Sequence, residues 1–230
     1  MLDSEKNSIK VIVLGDTNVG KTSMLRRFVK GDFLDEYKST IGAEFMERSI
    51  FIRQLNKTVK LMLWDTAGHS AFNSITRAYY RGAAAAILAF GTDDRKSFEN
   101  VDAWKQRISE SCGSISIVLC QTKFDMAQEA AITGEEAEQL AVRLRLPLFR
   151  VSTKDNFNVT ELFEYAANMC LCEAADNAPP SGTPPSEPQG KKAPSSPPRG
   201  GSQQEGKRVT PKSATQCVPK KKKKKACAII

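Results

Sequence analysis

Eight residues starting at Gly15 have the types and spacing to hold phosphate. Gly15, Asp16, Thr17, Asn18, Val19, Gly20, Lys21 and Thr22 set four residues between two glycines and follow them with a lysine and a hydroxyl. The glycines let the backbone curl so that successive N–H groups converge on an anion. A helix opening at Lys21, Thr22 and Ser23 would aim its positive end at the same point. Lys21 would reach the outer phosphates, and the Thr22 hydroxyl would bind Mg²⁺. A plain glycine turn between strand and helix has a similar composition. The apolar run before the loop and the helical period after it favour the phosphate reading.

A second group, Asp65-Thr66-Ala67-Gly68, follows the apolar residues 61–64. A carboxylate there can hold Mg²⁺ through a water, and the Gly68 N–H can bond a terminal phosphate. Alone, such a pair is usually a turn; its place one hairpin beyond the phosphate loop gives it the functional reading. Two more polar groups, Thr122-Lys123-Phe124-Asp125 and Ser152-Thr153-Lys154, each follow a short apolar run.

Strands and helices in alternation, interrupted by one early hairpin, would position these groups. Strands are predicted at 9–14, 45–53, 58–64, 83–90, 115–120 and 148–151, the second and third forming a hairpin across 54–57. Helices are predicted at 21–30, with Met24, Leu25 and Phe28 on one face, and near 96–110, 135–145 and 158–171. The fold class is therefore α/β: a six-stranded, mostly parallel sheet with one antiparallel strand and helices on both faces. In such sheets ligands bind beyond the carboxyl ends of the strands, where the polar groups fall.

Composition splits the 230 residues at about position 172. Ten of the 11 prolines lie in 173–230, together with 12 Lys/Arg against 4 Asp/Glu, while residues 1–172 hold 22 of each charge. The domain reading is a folded unit over 1–172 and a disordered tail over 173–230, because the tail lacks apolar surface to offset its ordering entropy. The whole net charge of +8 belongs to that tail. A basic globular face for nucleic acid is not supported, whereas a basic tail suits an anionic membrane. The six cysteines show neither disulfide-framework nor zinc spacing, His69 is the one histidine, and reduced cytosolic thiols fit best. No signal peptide precedes the first strand, and no apolar run of about 18 residues is present to span a bilayer.

The two groups after the later strands resemble the guanine motifs of small GTPases: Asn or Thr with Lys-x-Asp, and Ser-Ala-Lys. The resemblance implies a phosphate-loop NTPase fold of the small G-domain type, with GTP/GDP and Mg²⁺ as cofactors. Asp125 would accept hydrogen bonds from the guanine ring nitrogen and amino group, and a carboxylate that donates none rejects adenine. Thr122, where Asn is commoner, implies a modest loss of loop bracing. Over residues 8–172 the chain is most similar to Rab proteins of the Ras superfamily, through 40–45 (TIGAEF), 63–68 (LWDTAG) and 78–83 (AYYRGA). Carried over, Phe33 packs on the guanine, Tyr37 covers the phosphates, and Thr40 meets Mg²⁺ only with GTP. Phe45, Trp64 and Tyr79 resemble the aromatic triad that Rab proteins show to effectors; on residue type alone they read as core aromatics. Met24 and the segments 61–64, 75–82 and 94–98 look most like the Rab subgroup numbered twenty-three, linked to cilia and endosomal membranes.

Two departures bear on turnover. His69 stands where the family has the Gln that positions the attacking water, and Ser70 replaces the Glu after it, which implies slow unaided hydrolysis. Rab-type activating proteins supply their own Gln and Arg, so assisted hydrolysis can survive. Thr17 and Asn18 stand where glycines are common and crowd the terminal phosphate. The catalytic set implied is Lys21, Thr40, Gly68 and His69.

The C-terminal Cys227-Ala-Ile-Ile fits a prenylation signal behind lysines 220–225. Cys217 is a further candidate lipid site. Partners implied are guanine nucleotide, an exchange factor, an activating protein, escort and dissociation-inhibitor proteins, effectors and an anionic membrane. The location implied is the cytoplasmic face of endosomal, plasma or ciliary membranes, cycling with cytosol. Lys207-Arg208 ahead of the lysine run also resembles a two-part nuclear import signal, but that leaves the cysteine fourth from the end unexplained. A slow GTP-hydrolysing membrane switch is thus the first reading, and a nucleotide-locked scaffold the second. A phosphate-loop ATPase or nucleoside kinase is disfavoured by Asp125 and Lys154.

Overall fold

A computed structural model describes residues 8–34, 38–68 and 78–176. Six strands make one sheet: β1 (Ser8–Leu14), β2 (Ala43–Ile52), β3 (Lys57–Thr66), β4 (Ala85–Gly91), β5 (Ser116–Thr122) and β6 (Leu148–Arg150). Their order is β2-β3-β1-β4-β5-β6, and only β2 runs antiparallel, against β3. The α-helices lying wholly within the described residues are α1 (Lys21–Lys30), α2 (Arg95–Glu99), α3 (Val101–Cys112), α4 (Gly134–Leu144) and α5 (Val159–Asp176), and residues 78–80 are also helical. The expected α/β architecture, with one antiparallel strand and helices on both faces, is the one observed.

The two-residue period of β1 explains why both faces are covered. Val11 and Val13 turn into one core with Met24, Leu25 and Phe28 of α1 and Leu162 and Phe163 of α5. Ile12 and Leu14 turn into the other, with Phe90, Trp104, Ile108 and Leu140. Met24, Leu25 and Phe28 are fully buried, the stripe their spacing implied, and each contributes about 2–3 kcal/mol. Phe28 stacks on Phe163 at 4.1 Å, pinning α1 to α5. The chain leaves β1 toward β2 and β3 on one side and later fills β4 to β6 on the other. The carboxyl end of β1 is therefore the switch point of the sheet, and the glycine loop stands on it.

Some boundaries differ from those predicted, each for a local reason. The helix expected over 96–110 is two helices, meeting at Asn100. Asp94 starts α2 by accepting from the Lys96 and Ser97 N–H groups. Asn100 keeps helical angles (φ −80°, ψ −5°), so neither Gly nor Pro marks the break. The hairpin turns one residue early, through a 3₁₀ turn at Arg53–Leu55 and a left-handed Asn56. The capping box of Thr133 and Glu136 opens α4, and α5 continues to Asp176. Among the described residues no helix is long and apolar enough to cross a membrane.

Candidate nucleotide site

A cavity of about 890 Å³ opens where β1, β3, β5 and β6 end. Of the residues singled out by sequence, Thr17, Asn18, Gly20, Lys21, Thr22, Ser23, Phe33, Thr40, Gly68, Lys123, Asp125, Thr153 and Lys154 line it. Tyr37 and His69 lie outside the described residues.

The loop after β1 is shaped by close approach. Gly15 has φ 142°, and a Cβ there would stand 2.1 Å from the Ala89 carbonyl oxygen, so no side chain fits against β4. A Cβ on Gly68 would stand 2.4 Å from the Asp16 carbonyl carbon, so the segment after β3 lies directly on the loop. Asn18 takes a left-handed φ of 63°, which Asn tolerates. Lys21 folds back under the loop, its Nζ donating to the carbonyls of Gly15 (2.9 Å) and Asp16 (2.6 Å). It is only 6% exposed. That burial pulls its pKa down to about 8, against the opposing pull of the Asp65 and Asp16 carboxylates.

Beside Lys21 three oxygen-bearing side chains from three segments converge. Thr22 Oγ1 donates to Asp65 Oδ2 at 2.5 Å and lies 2.8 Å from Thr40 Oγ1, which is 3.3 Å from the same carboxylate oxygen. The other oxygen, Asp65 Oδ1, is buried without a hydrogen-bond partner. Desolvation raises the Asp65 pKa, with the Thr22 hydrogen bond and Lys21 opposing. Hydroxyls and a carboxylate with a spare lone-pair set are the ligands of a hard cation such as Mg²⁺.

At the other end of the cavity Asp125 Oδ1 accepts from Ser152 Oγ at 2.8 Å. Ser152 also accepts from the Asp155 N–H at 3.0 Å, so the loop after β6 holds the carboxylate in place. Lys123 has φ 53°, and its Nζ pairs with Asp93 Oδ2 at 2.8 Å, leaving its stem along the cavity wall. Thr122 is fully buried and stands behind that wall, as do Gly15, Val19, Asp65 and Ser152. Its hydroxyl shares one proton between the carbonyls of Val19 (2.5 Å) and Phe90 (3.0 Å). Thr122 thus spans from β5 to the phosphate loop and β4. The sequence reading missed Arg27, whose Nε and Nη2 donate to the carbonyls of Thr153 (2.9 Å) and Lys154 (2.7 Å). Those bonds cross more than 120 residues of chain, and nothing in local spacing announces them.

The three aromatics also meet. Phe45 and Trp64 face each other across β2 and β3 with centroids 5.2 Å apart, and Trp64 stacks on Tyr79 at 5.2 Å. Phe45 is 46% exposed, which a core aromatic would not be.

A glycine loop at the switch point of a mostly parallel sheet, with a buried lysine beneath it and a cavity beyond, defines a phosphate-loop nucleotide protein. The chain belongs to the Ras family of small GTPases, within its Rab branch: the Ras family model matches residues 10–172. Ras-related protein Rab-13 of Rattus norvegicus is 40% identical over 163 residues, 70% of this chain and 79% of that protein. GTP-binding protein ypt3 of Schizosaccharomyces pombe is 38% identical over 177 residues, covering 73% and 81%. Ras-related protein Rab-3A of Homo sapiens is 35% identical over 178 residues, covering 76% and 80%.

Proposed function

We propose that this Rab-type GTPase is a slowly cycling, membrane-tethered switch of vesicle traffic that binds GTP/GDP with Mg²⁺ in the cavity described. The observation that carries this reading is the convergence of Thr22, Thr40 and Asp65 beside Lys21. Lys21 would exchange its loop carbonyls for the outer phosphates, and Gly68 would offer its N–H to the terminal one. Thr22, Thr40 and Asp65, the last through a water, would hold Mg²⁺, whose charge neutralises the outer phosphates when it is bound. Phe33 would flank the base and Asp125 would read its edge. Tyr37 would cover the phosphates. Because Thr40 belongs to a different segment from Thr22 and Asp65, loss of the terminal phosphate would release it, and order in that segment would report the nucleotide. The Phe45–Trp64–Tyr79 face, with Phe45 exposed and the other two half-buried, would pass that order to effectors. Exchange factors, activating proteins and escort or dissociation-inhibitor proteins complete the cycle.

His69 supports the finer claim of slow hydrolysis. An imidazole lacks the paired carbonyl and amide with which Gln both accepts from the attacking water and donates to phosphate. His69→Gln is expected to raise single-turnover GTP hydrolysis by roughly tenfold, with Thr17 and Asn18 limiting the gain. The parent is expected to respond to a Rab-activating domain that brings its own Gln and Arg. A parent that hydrolyses no GTP even with that domain would be the nucleotide-locked scaffold instead.

The tail supports the membrane half. Beyond α5, the Pro-, Ser-, Gly- and Lys-rich segment 177–230 carries six lysines at 220–225 followed closely by Cys227. A single lipid chain is a weak, reversible anchor, a myristoyl group for example binding with a constant of about 10⁴ M⁻¹, so a second signal is expected beside one prenyl group. The lysines add about 1 kcal/mol each near an anionic leaflet. Cys227→Ser is expected to move the protein to the soluble fraction; retention on membranes after a high-salt wash would overturn the anchor at Cys227, with Cys217 then the next site to examine. The segments that resemble the subgroup numbered twenty-three favour the endosomal and ciliary membranes among the endosomal, plasma and ciliary surfaces proposed.

A further inference from the structure

Asp16 is an electrostatic oddity: a carboxylate in the second position of a loop that, on the reading above, holds a polyphosphate. Like charges in a partly buried site repel, and nothing in the phosphate chemistry uses this one. The Asp16 side chain does not line the cavity. Both of its oxygens are instead bonded to the start of α3. Oδ2 accepts from Asn100 Nδ2 and Oδ1 from Trp104 Nε1, each at 2.6 Å.

The two donors are held for this purpose. Trp104 is 3% exposed, its ring packed in the second core with the Arg107 guanidinium over it at 4.5 Å, so the indole N–H cannot turn elsewhere. Asn100 occupies the position that caps α3, a place where Asn ordinarily bonds the helix's own first N–H groups. It makes no side-chain cap. The backbone of Asp16 meanwhile meets two groups of the phosphate site. Its carbonyl accepts from Lys21 Nζ at 2.6 Å, and Gly68 packs against its peptide.

We propose that Asn100 and Trp104 are positioning residues for the phosphate site. They hold the Asp16 carboxylate on α3, out of the field of the terminal phosphate, and thereby fix the peptide that Lys21 and Gly68 meet. Neither touches the nucleotide. The inference rests on the phosphate-loop reading and adds to it a specific consequence: freeing Asp16 disfavours the triphosphate more than the diphosphate, because the triphosphate carries more charge toward the loop.

The test uses the full chain with fluorescent GDP and a fluorescent non-hydrolysable GTP analogue. Trp104→Phe keeps most of the ring and removes the N–H. It is expected to weaken the GTP analogue by roughly tenfold and GDP by about two- to threefold, the size of one lost charge-assisted hydrogen bond plus the unmasked charge. Asn100→Asp, which sets a second carboxylate against the first, is expected to shift the ratio in the same direction. Adding Asp16→Asn to Trp104→Phe removes the stranded charge and is expected to bring the analogue-to-GDP ratio back to within about twofold of the parent's. A purely structural role for Trp104 predicts equal loss of both nucleotides, a lowered melting temperature and no rescue by Asp16→Asn; that result, or unchanged binding by Trp104→Phe, overturns the proposal. A parent chain that binds no guanine nucleotide overturns the underlying reading and this one with it, whereas a parent that binds normally leaves the failure to the clamp alone.

Discussion

Asp125→Asn is expected to lower GTP affinity by roughly ten- to hundredfold and to raise affinity for the xanthine nucleotide. The carboxylate accepts from the Ser152 hydroxyl through Oδ1 and has its remaining lone pairs for a ligand. Asn keeps one acceptor oxygen, so the Ser152 bond can survive and the loop keeps its shape. The new amide then points a donor at the guanine amino group, itself a donor. An unmet pair of that kind in a buried site costs about 1–3 kcal/mol. Xanthine carries a carbonyl in place of the amino group and can accept from the amide. Titration of the variant with both nucleotides checks the exchange of preference, and thermal melting checks that the fold is intact. Unchanged GTP binding would mean that Asp125 does not read the base.

The sequence carried the fold because its signals were local. The short apolar run of β1, the Met24–Leu25–Phe28 stripe and the glycines flanking the loop are each legible within a few residues. Most of the cavity lining was legible for the same reason: the groups around Lys21, Gly68, Asp125 and Lys154 each follow a strand, and a parallel sheet delivers those positions to one edge, whereas Phe33 and Thr40, between α1 and β2, were given only by the family resemblance. What stayed hidden depends on contacts between distant segments. Arg27 reaches across to Thr153 and Lys154, and Asp16 across to Asn100 and Trp104. The split of the expected 96–110 helix falls at the residue that bonds Asp16: Asn100 stays helical in backbone while its amide serves another element. A one-dimensional reading sees Asn100 only as an unremarkable polar residue in a helix. Thr122 teaches the converse. Its substitution for Asn implied weaker bracing, yet its hydroxyl is within hydrogen-bond distance of the loop carbonyl at Val19, because full burial at the end of β5 brings the loop to it.

The lysine beneath the loop carries the largest linked effect. Lys21→Met is expected to cost nucleotide affinity by roughly a hundredfold, since charge-assisted bonds to phosphate are worth about 1.5–3 kcal/mol and the outer phosphates would lose their buried cation. The same substitution should change how stability responds to pH in protein stripped of nucleotide. Burial holds the folded-state pKa of Lys21 at about 8, below its ordinary value of 10.5. Between those two values the unfolded chain binds the extra proton and the folded chain does not, so stability rises with pH across that window. Below about pH 8 the folded protein bears the full cost of a buried ammonium. From pH 7 to 9.5 the parent should therefore gain about 2 kcal/mol relative to Lys21→Met, in which this titration is absent. Urea unfolding of the two proteins at both pH values isolates the difference, because every other titrating group is common to them. The Gly15 and Asp16 carbonyls lose a donor in the variant at either pH, which offsets the two curves without tilting them. Bound phosphates would favour the ammonium and draw its pKa back up, so nucleotide binding above pH 8 should take up a proton and weaken as pH rises. Stability differences that stay flat from pH 7 to 9.5 would show that Lys21 keeps its proton in the folded protein without any nucleotide to hold it.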